Sequence, residues 1–344
     1  MSKPWTKTRK RAISSLITLG FLVVVLLVMN VLIQLGLVNA GVVDMLKFIG
    51  INIIAAVSLN MVSGMMGQLV LGHAGFMLVG AYAAAMFTNA VGWPLTASLT
   101  PALIIGGLLA AIIGFLIGIP ALRLRGDYLA IITLGFGEII RVIANSLTIT
   151  NGAKGYYGFP TFSTRQDPAT LFNFIFVIAA FVVFFSYTFG TSRHGRAVIA
   201  IREDEIAAES SGIRTTYYKL LTFTLSAFFA GVAGGLLAHQ LGIIDPSNYG
   251  FSKSVEILMM VVLGGMGSIT GSVVSASVLT FLPEVLRGFA NYRMLIYSVL
   301  LICVMLFRPK GLFGRAELRV IKPYEWLRDR HRAKKAQKTG GGGS

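Results

Sequence analysis

The residues of this chain able to do chemistry are few and far apart. Its four histidines are scattered, its one cysteine is Cys303, and no CxxC or HExxH spacing occurs. Neither a metal site nor a nucleophile with a base beside it is therefore expected. Ser63, Ser226 and Ser268 stand among small residues, which suits close helix packing better than nucleophilic chemistry. No GxxxxGK[ST] phosphate loop is present, and GFGE at Gly135 lacks the last glycine of a dinucleotide fingerprint. The chain cannot hold ATP by that route.

What remains is a handful of polar residues inside apolar runs. Glu138 lies about 15 Å into the run 128–147, where a charged side chain costs roughly 3 kcal/mol on insertion scales. Arg141 follows one turn later on the same face. One reading puts Glu138 on a transport route or at a subunit interface; the other makes it half of a Glu138–Arg141 pair facing protein. His73, in LGHAG, sits in a glycine-rich interruption where backbone groups could line a cavity, with Phe76 close by. A packed, hydrogen-bonded histidine is the competing reading. Glu256 opens its run, and His239 and Gln240 close theirs, so all three are expected near an interface.

The elements that must position these residues are transmembrane helices. The chain is 55% hydrophobic and only 13% charged, with a mean hydropathy of +0.75, whereas a soluble domain carries about 25% charged residues. Apolar runs fall at 12–38, 46–66, 68–91, 95–119, 128–147, 170–190, 219–240, 254–288 and 292–307. Most are long enough to cross roughly 30 Å of hydrocarbon as a helix, and in lipid the backbone pairs its own polar groups only that way. The net charge of +16 is concentrated beside these runs. Lys3, Lys7, Arg9, Lys10 and Arg11 precede the first, and Arg193, Arg196, Arg202, Arg214 and Lys219 follow the sixth. Eleven more basic residues lie between Arg308 and Lys338. Positive-inside topology explains this placement better than nucleic-acid binding does.

Both termini and the loop at 191–218 thus read as cytoplasmic, which requires an even number of crossings. The 35-residue stretch 254–288 would span about 52 Å as one helix and contains GGMGSITG, Gly264 to Gly271. Splitting it there gives about ten crossings, with one of the short halves a candidate for a re-entrant or broken helix. A second glycine interruption lies at Gly64, Gly67 and Gly72. Paired interruptions in two halves point to structural repeats with a transport site between them, here near Gly264, Gly265 and Gly267. Close helix packing by small residues is the other reading. The organisation expected is a basic N-terminus (1–11), a transmembrane domain (12–308) and a basic tail (309–339). GGGGS at 340–344 resembles an appended linker and is expected to be one. The first run is too long for a signal-peptide core and is expected to be retained.

The loop after the sixth run reads SRHGRAVIAIREDEIAAESSGI, Ser192 to Ile213, and includes Gly195 and Gly212. Arg202 to Ser211 is composed mainly of good helix formers, and Gly212 is a plausible helix stop. Such a helix, with Ile206 and Ala208 among Glu203, Asp204, Glu205 and Glu209, could dock in a groove of a soluble partner or be a solvated loop helix.

At this loop the sequence resembles the coupling motif of ABC importer permeases, with Glu205, Ala207, Ala208 and Gly212 matching its pattern and Ile206 inserted. Further segments resemble the LivM-type permeases of branched-chain amino acid importers. They are GQLVLGHAGFMLVGAY from Gly67, LRLRGDYLAIITLGFGEIIR from Leu122, VVLGGMGSITGSV from Val261, LPEVLR from Leu282 and FRPKGLFG from Phe307. The likeness runs through nearly all of Met45 to Gly314 and is less specific for substrate, since urea permeases share much of it. It implies an all-α polytopic permease in a bacterial inner membrane that moves branched-chain amino acids inward without enzymatic activity of its own. It also implies a LivH-type paralogous permease, two ATPase subunits (LivG- and LivF-type) that hold ATP and Mg, and an extracytoplasmic binding protein. No cofactor is expected on this chain. A self-sufficient secondary transporter is the competing class, but it usually carries paired ion-coupling carboxylates or histidines within the bundle.

Overall fold

In the computed structural model, residues 39–124, 126–162 and 168–286 are described, together with Ser298, Val299, Ile302, Leu306, Gly311, Leu312 and Gly314. The N-terminal basic segment, the run 12–38, most of the run 292–307, Cys303, the basic tail and the linker lie outside the described residues.

Ten α-helices make up nearly all of the described fold. They are α1 (Ala40–Asn60), α2 (His73–Val91), α3 (Leu95–Ala121), α4 (Asp127–Ser146), α5 (Pro168–Thr191), α6 (Arg193–Glu203), α7 (Glu205–Ser210), α8 (Thr215–Leu241), α9 (Phe251–Gly264) and α10 (Ile269–Val285). The only strands among the described residues, β1 (Tyr156–Tyr157) and β2 (Ile243–Ile244), pair antiparallel outside the helices. Six helices are long and apolar enough to cross a membrane: α1 with its continuation to Met66, α2, α3, α4, α5 and α8. The about ten crossings expected are not reached among the described residues. Two of the runs counted lie largely outside them, and α9 and α10, with 14 and 17 residues, span only about 21 and 26 Å.

The centre of the bundle is welded by glycine. An added Cβ at Gly80 of α2 would run into the backbone of Gly231 in α8, and one at Gly106 of α3 would come 2.7 Å from the Gly80 carbonyl oxygen. Three helices thus meet backbone to backbone, which only glycine permits. Around this junction Phe76, Phe223, Phe229, Leu236 and Ala230 are buried. The outer helices are unlike it: α4 leaves Ile131, Ile132, Ile139, Val142 and Ile143 exposed, as a lipid- or protein-facing helix does.

Two helices depart from regular geometry. The last turn of the first span winds as a π-helix over Met61–Met66 and stops at Gly67. The chain then doubles back without regular structure before His73 opens α2. In the other half, α9 ends at Gly264 and α10 starts at Ile269, with Gly265 and Gly267 at φ +105° and +91°. Those angles lie in a region where a Cβ is strained.

Candidate functional site

The loop after α5 is built by capping. Ser192 Oγ accepts from the Gly195 N–H at 3.1 Å and starts α6, which turns Val198 and Ile201 inward. The single helix expected over Arg202 to Ser211 is instead two. Asp204 leaves helical geometry (φ −157°, ψ 111°), and its Oδ1 accepts from the Ala207 N–H at 3.0 Å to cap α7. An N-cap carboxylate satisfies a donor the new helix would otherwise leave unpaired. Gly212 closes α7 at φ +80°, with the Ile213 N–H reaching back to the Ala208 carbonyl, as expected for a glycine stop.

This geometry sorts the acids by what they touch. Glu205 is bound to Lys219 at 2.7 Å, where Lys219 is only 3% exposed. Glu209 accepts from the Thr215 hydroxyl at 2.9 Å. Asp204 is a cap, and Glu203 pairs with Arg202 at 2.6 Å. The acids therefore shape the loop, and Ala208 faces inward. Ile206, at 69% exposure, and Ala207 are the apolar residues that α7 offers outward, beside the exposed Glu209 and Ser210.

Arg202 ties this loop to the glycine interruptions. Its guanidinium donates to the Gly64 carbonyl at 2.9 Å, while Asn60 Oδ1 accepts from the Gly267 N–H at 2.9 Å. An added Cβ at Gly267 would stand 3.1 Å from Arg202 Nη1 and 3.3 Å from the Gly64 oxygen. Behind the second break, the Leu312 N–H donates to the Leu263 carbonyl, and Gly265 packs against Gly314. The π-helical end of the first span, the break between α9 and α10, and the loop helix α6 form one joint. Neither Asn60 nor Arg202's contact with Gly64 is visible from sequence spacing, since 138 residues separate the latter pair.

The residues expected along a route divide. His73 is buried, with Nε2 at 2.9 Å from Ser58 Oγ, and Phe76 packs edge-on against Phe223. Gly264 is pressed against Gly271. Glu138 alone of them lines a sizeable cavity, about 410 Å³, together with Arg141, Gly250, Phe251, Lys253 and Glu256. Its pair with Arg141 is made at 2.6 Å, each side chain about a third exposed, and its Oε1 accepts from the Phe251 N–H. Across the cavity Lys253 pairs with Glu256 at 3.1 Å and reaches Asn52 Oδ1 at 3.4 Å. Glu256, from α9, thus lines the same cavity as Glu138 of α4. His239 is buried within the bundle and bonds Thr88, while Gln240 donates to Asp44. Lys253 was missed; the signal was its Lys-x-x-Glu spacing, the reverse of the Glu-x-x-Arg of α4.

A helical bundle with broken helices, a charged cavity inside it and a folded loop tied to the breaks defines a polytopic membrane permease. The family model for the branched-chain amino acid transport system permease component matches residues 41–306, and the chain belongs to that family. It is 40% identical over 305 residues to the high-affinity branched-chain amino acid transport system permease protein LivM of Escherichia coli, covering 80% of this chain and 71% of that one. It is 28% identical over 284 residues to BraD of Pseudomonas aeruginosa, a permease protein of the same kind of system, covering 76% and 91%. With the permease protein LivH of Escherichia coli it shares 34% identity over 158 residues, 45% of this chain and 49% of that one.

Proposed function

We propose that this chain is the LivM-type membrane-spanning subunit of an ATP-driven importer that carries branched-chain amino acids inward across a bacterial inner membrane. The observation that supports the reading is the Arg202 contact, which brings the loop between α5 and α8 against both helix breaks. A loop helix with an exposed Ile206 and a fixed end at Gly212 suits docking on an ATPase, and the joint behind it would pass that movement into the bundle. ATP and Mg belong on the two ATPase partners, consistent with the missing phosphate loop. The partial likeness to LivH supports a paralogous permease as partner, and an extracytoplasmic binding protein would deliver the cargo.

The test is reconstitution of the whole complex in proteoliposomes with labelled leucine and, in parallel, labelled urea. ATP-dependent uptake of leucine and not of urea is expected. Uptake of urea alone would move the chain to the urea branch, and uptake of leucine without any ATPase subunit would make it a secondary transporter.

A further inference from the structure

Four charged side chains line one cavity, two from α4 and two from the first two turns of α9, and their charges cancel. Glu138 lies 11 residues into α4, about 16 Å along a helix of about 30 Å. Lys253 reaches Asn52, a similar depth into α1. The cavity is therefore near the middle of both helices, where α9 starts after a short 3-10 turn at Pro246–Tyr249. Broken helices at that depth are where transporters of several architectures hold their cargo. Two ion pairs serving only to neutralise each other would be expected to close on one another and exclude water. Here they stay between 16% and 40% exposed around an open volume.

The pairs are also incomplete in a directional way. Arg141 engages Glu138 through Nε, and among the described residues its terminal nitrogens make no other bond, so a fork of donors remains for a carboxylate. Glu256 meets Lys253 through Oε2, which leaves Oε1 to accept from an ammonium. Glu138, by contrast, is used at both oxygens.

We propose that this cavity is a transit site for the zwitterionic backbone of a free α-amino acid, its carboxylate on Arg141 and its ammonium on Glu256, with the aliphatic side chain against Phe251. About 410 Å³ is within the range of small-ligand pockets, roughly 300–1,000 Å³. Because the lining is neutral overall, a dipolar solute exchanges partners with the two pairs without leaving a net charge. A solute lacking either charge strands one of them. The site reads the backbone, and aliphatic selectivity lies elsewhere.

This inference rests on the permease reading, and the experiment separates the two. Binding of labelled leucine is measured on the detergent-purified complex without binding protein, with leucinamide (no carboxylate) and 4-methylpentanoate (no ammonium) as competitors. ATP-driven leucine uptake by the same preparations is measured alongside. Glu256→Gln is expected to weaken leucine at least tenfold while leaving competition by 4-methylpentanoate unchanged. Arg141→Gln should weaken leucine equally and leave leucinamide unchanged. Gly250→Leu should abolish leucine binding by filling the cavity. Its Cβ would sit 3.4 Å from Glu138 Oε1 and 3.5 Å from Arg141 Cδ, and the backbone φ of −84° accepts a side chain. Wild-type uptake with all three variants binding leucine normally overturns the site and leaves the permease reading intact. Loss of leucine and both analogues in parallel reduces the charges to a structural role and overturns it too. Absence of uptake by the wild type removes the permease reading, and the site with it.

Discussion

Replacing Glu205 with alanine removes the carboxylate that lies 2.7 Å from Lys219 Nζ. Lys219 is 3% exposed, so the ammonium is left with neither partner nor ready access to water. Breaking a buried pair in this way costs roughly 3–5 kcal/mol. Glu205 keeps 22% exposure, which admits some solvent, so the lower end, about 3 kcal/mol, applies. Confined to the loop, that cost raises the locally open population by roughly a hundredfold. Hydrogen exchange on the assembled complex reads it directly: the Ala207 and Ile213 N–H groups, bonded to Asp204 and Ala208, should lose about that much protection. ATPase docking should weaken as a consequence. The double variant Glu205→Ala with Lys219→Met removes the stranded charge and should regain most of the protection. Ile206→Asp should leave exchange unchanged and still weaken docking, because its side chain already faces water. Unchanged protection in Glu205→Ala, or no recovery in the double variant, refutes the assignment of Glu205 to loop structure.

Arg202→Ala should leave the complex assembled and hydrolysing ATP while uptake per ATP falls about tenfold, since a charge-assisted hydrogen bond of about 1.5–3 kcal/mol between loop and helix end is lost. An unchanged uptake-to-hydrolysis ratio counts against the joint. A reporter active only outside the membrane, fused after Lys338, should be silent; a strong signal there breaks the cytoplasmic placement of the basic tail.

The long spans were legible because lipid leaves the backbone no alternative to helix, so apolar length alone marks them. Six of the nine runs correspond to helices long enough to cross. Gly212 was legible as a stop because its role depends on one residue's own conformational freedom. Asp204 was not, since an aspartate is tolerable inside a helix and good at its start, and the choice is made by the Ala207 N–H. The Glu138–Arg141 pair followed from spacing on one helix. That it shares a cavity with Lys253 and Glu256 depends on α9 beginning deep in the bundle. The descent from Ile244 to Phe251 has too little hydrophobic periodicity to announce itself. For His73 the sequence left two readings open, and the partner that favours the packed one, Ser58, is brought to it only by the fold.

The meeting of Gly80, Gly106 and Gly231 has a mechanical consequence. Surfaces joined through side chains can slide, because rotamers change and a gap of a methyl group can open and close. Surfaces joined through bare backbone have no such slack, and any shear drives carbonyl into carbonyl. The helices α2, α3 and α8 are therefore expected to move as one rigid block. In the transport cycle proposed above, opening and shutting would then fall to the parts around that block, α9 and α10 among them.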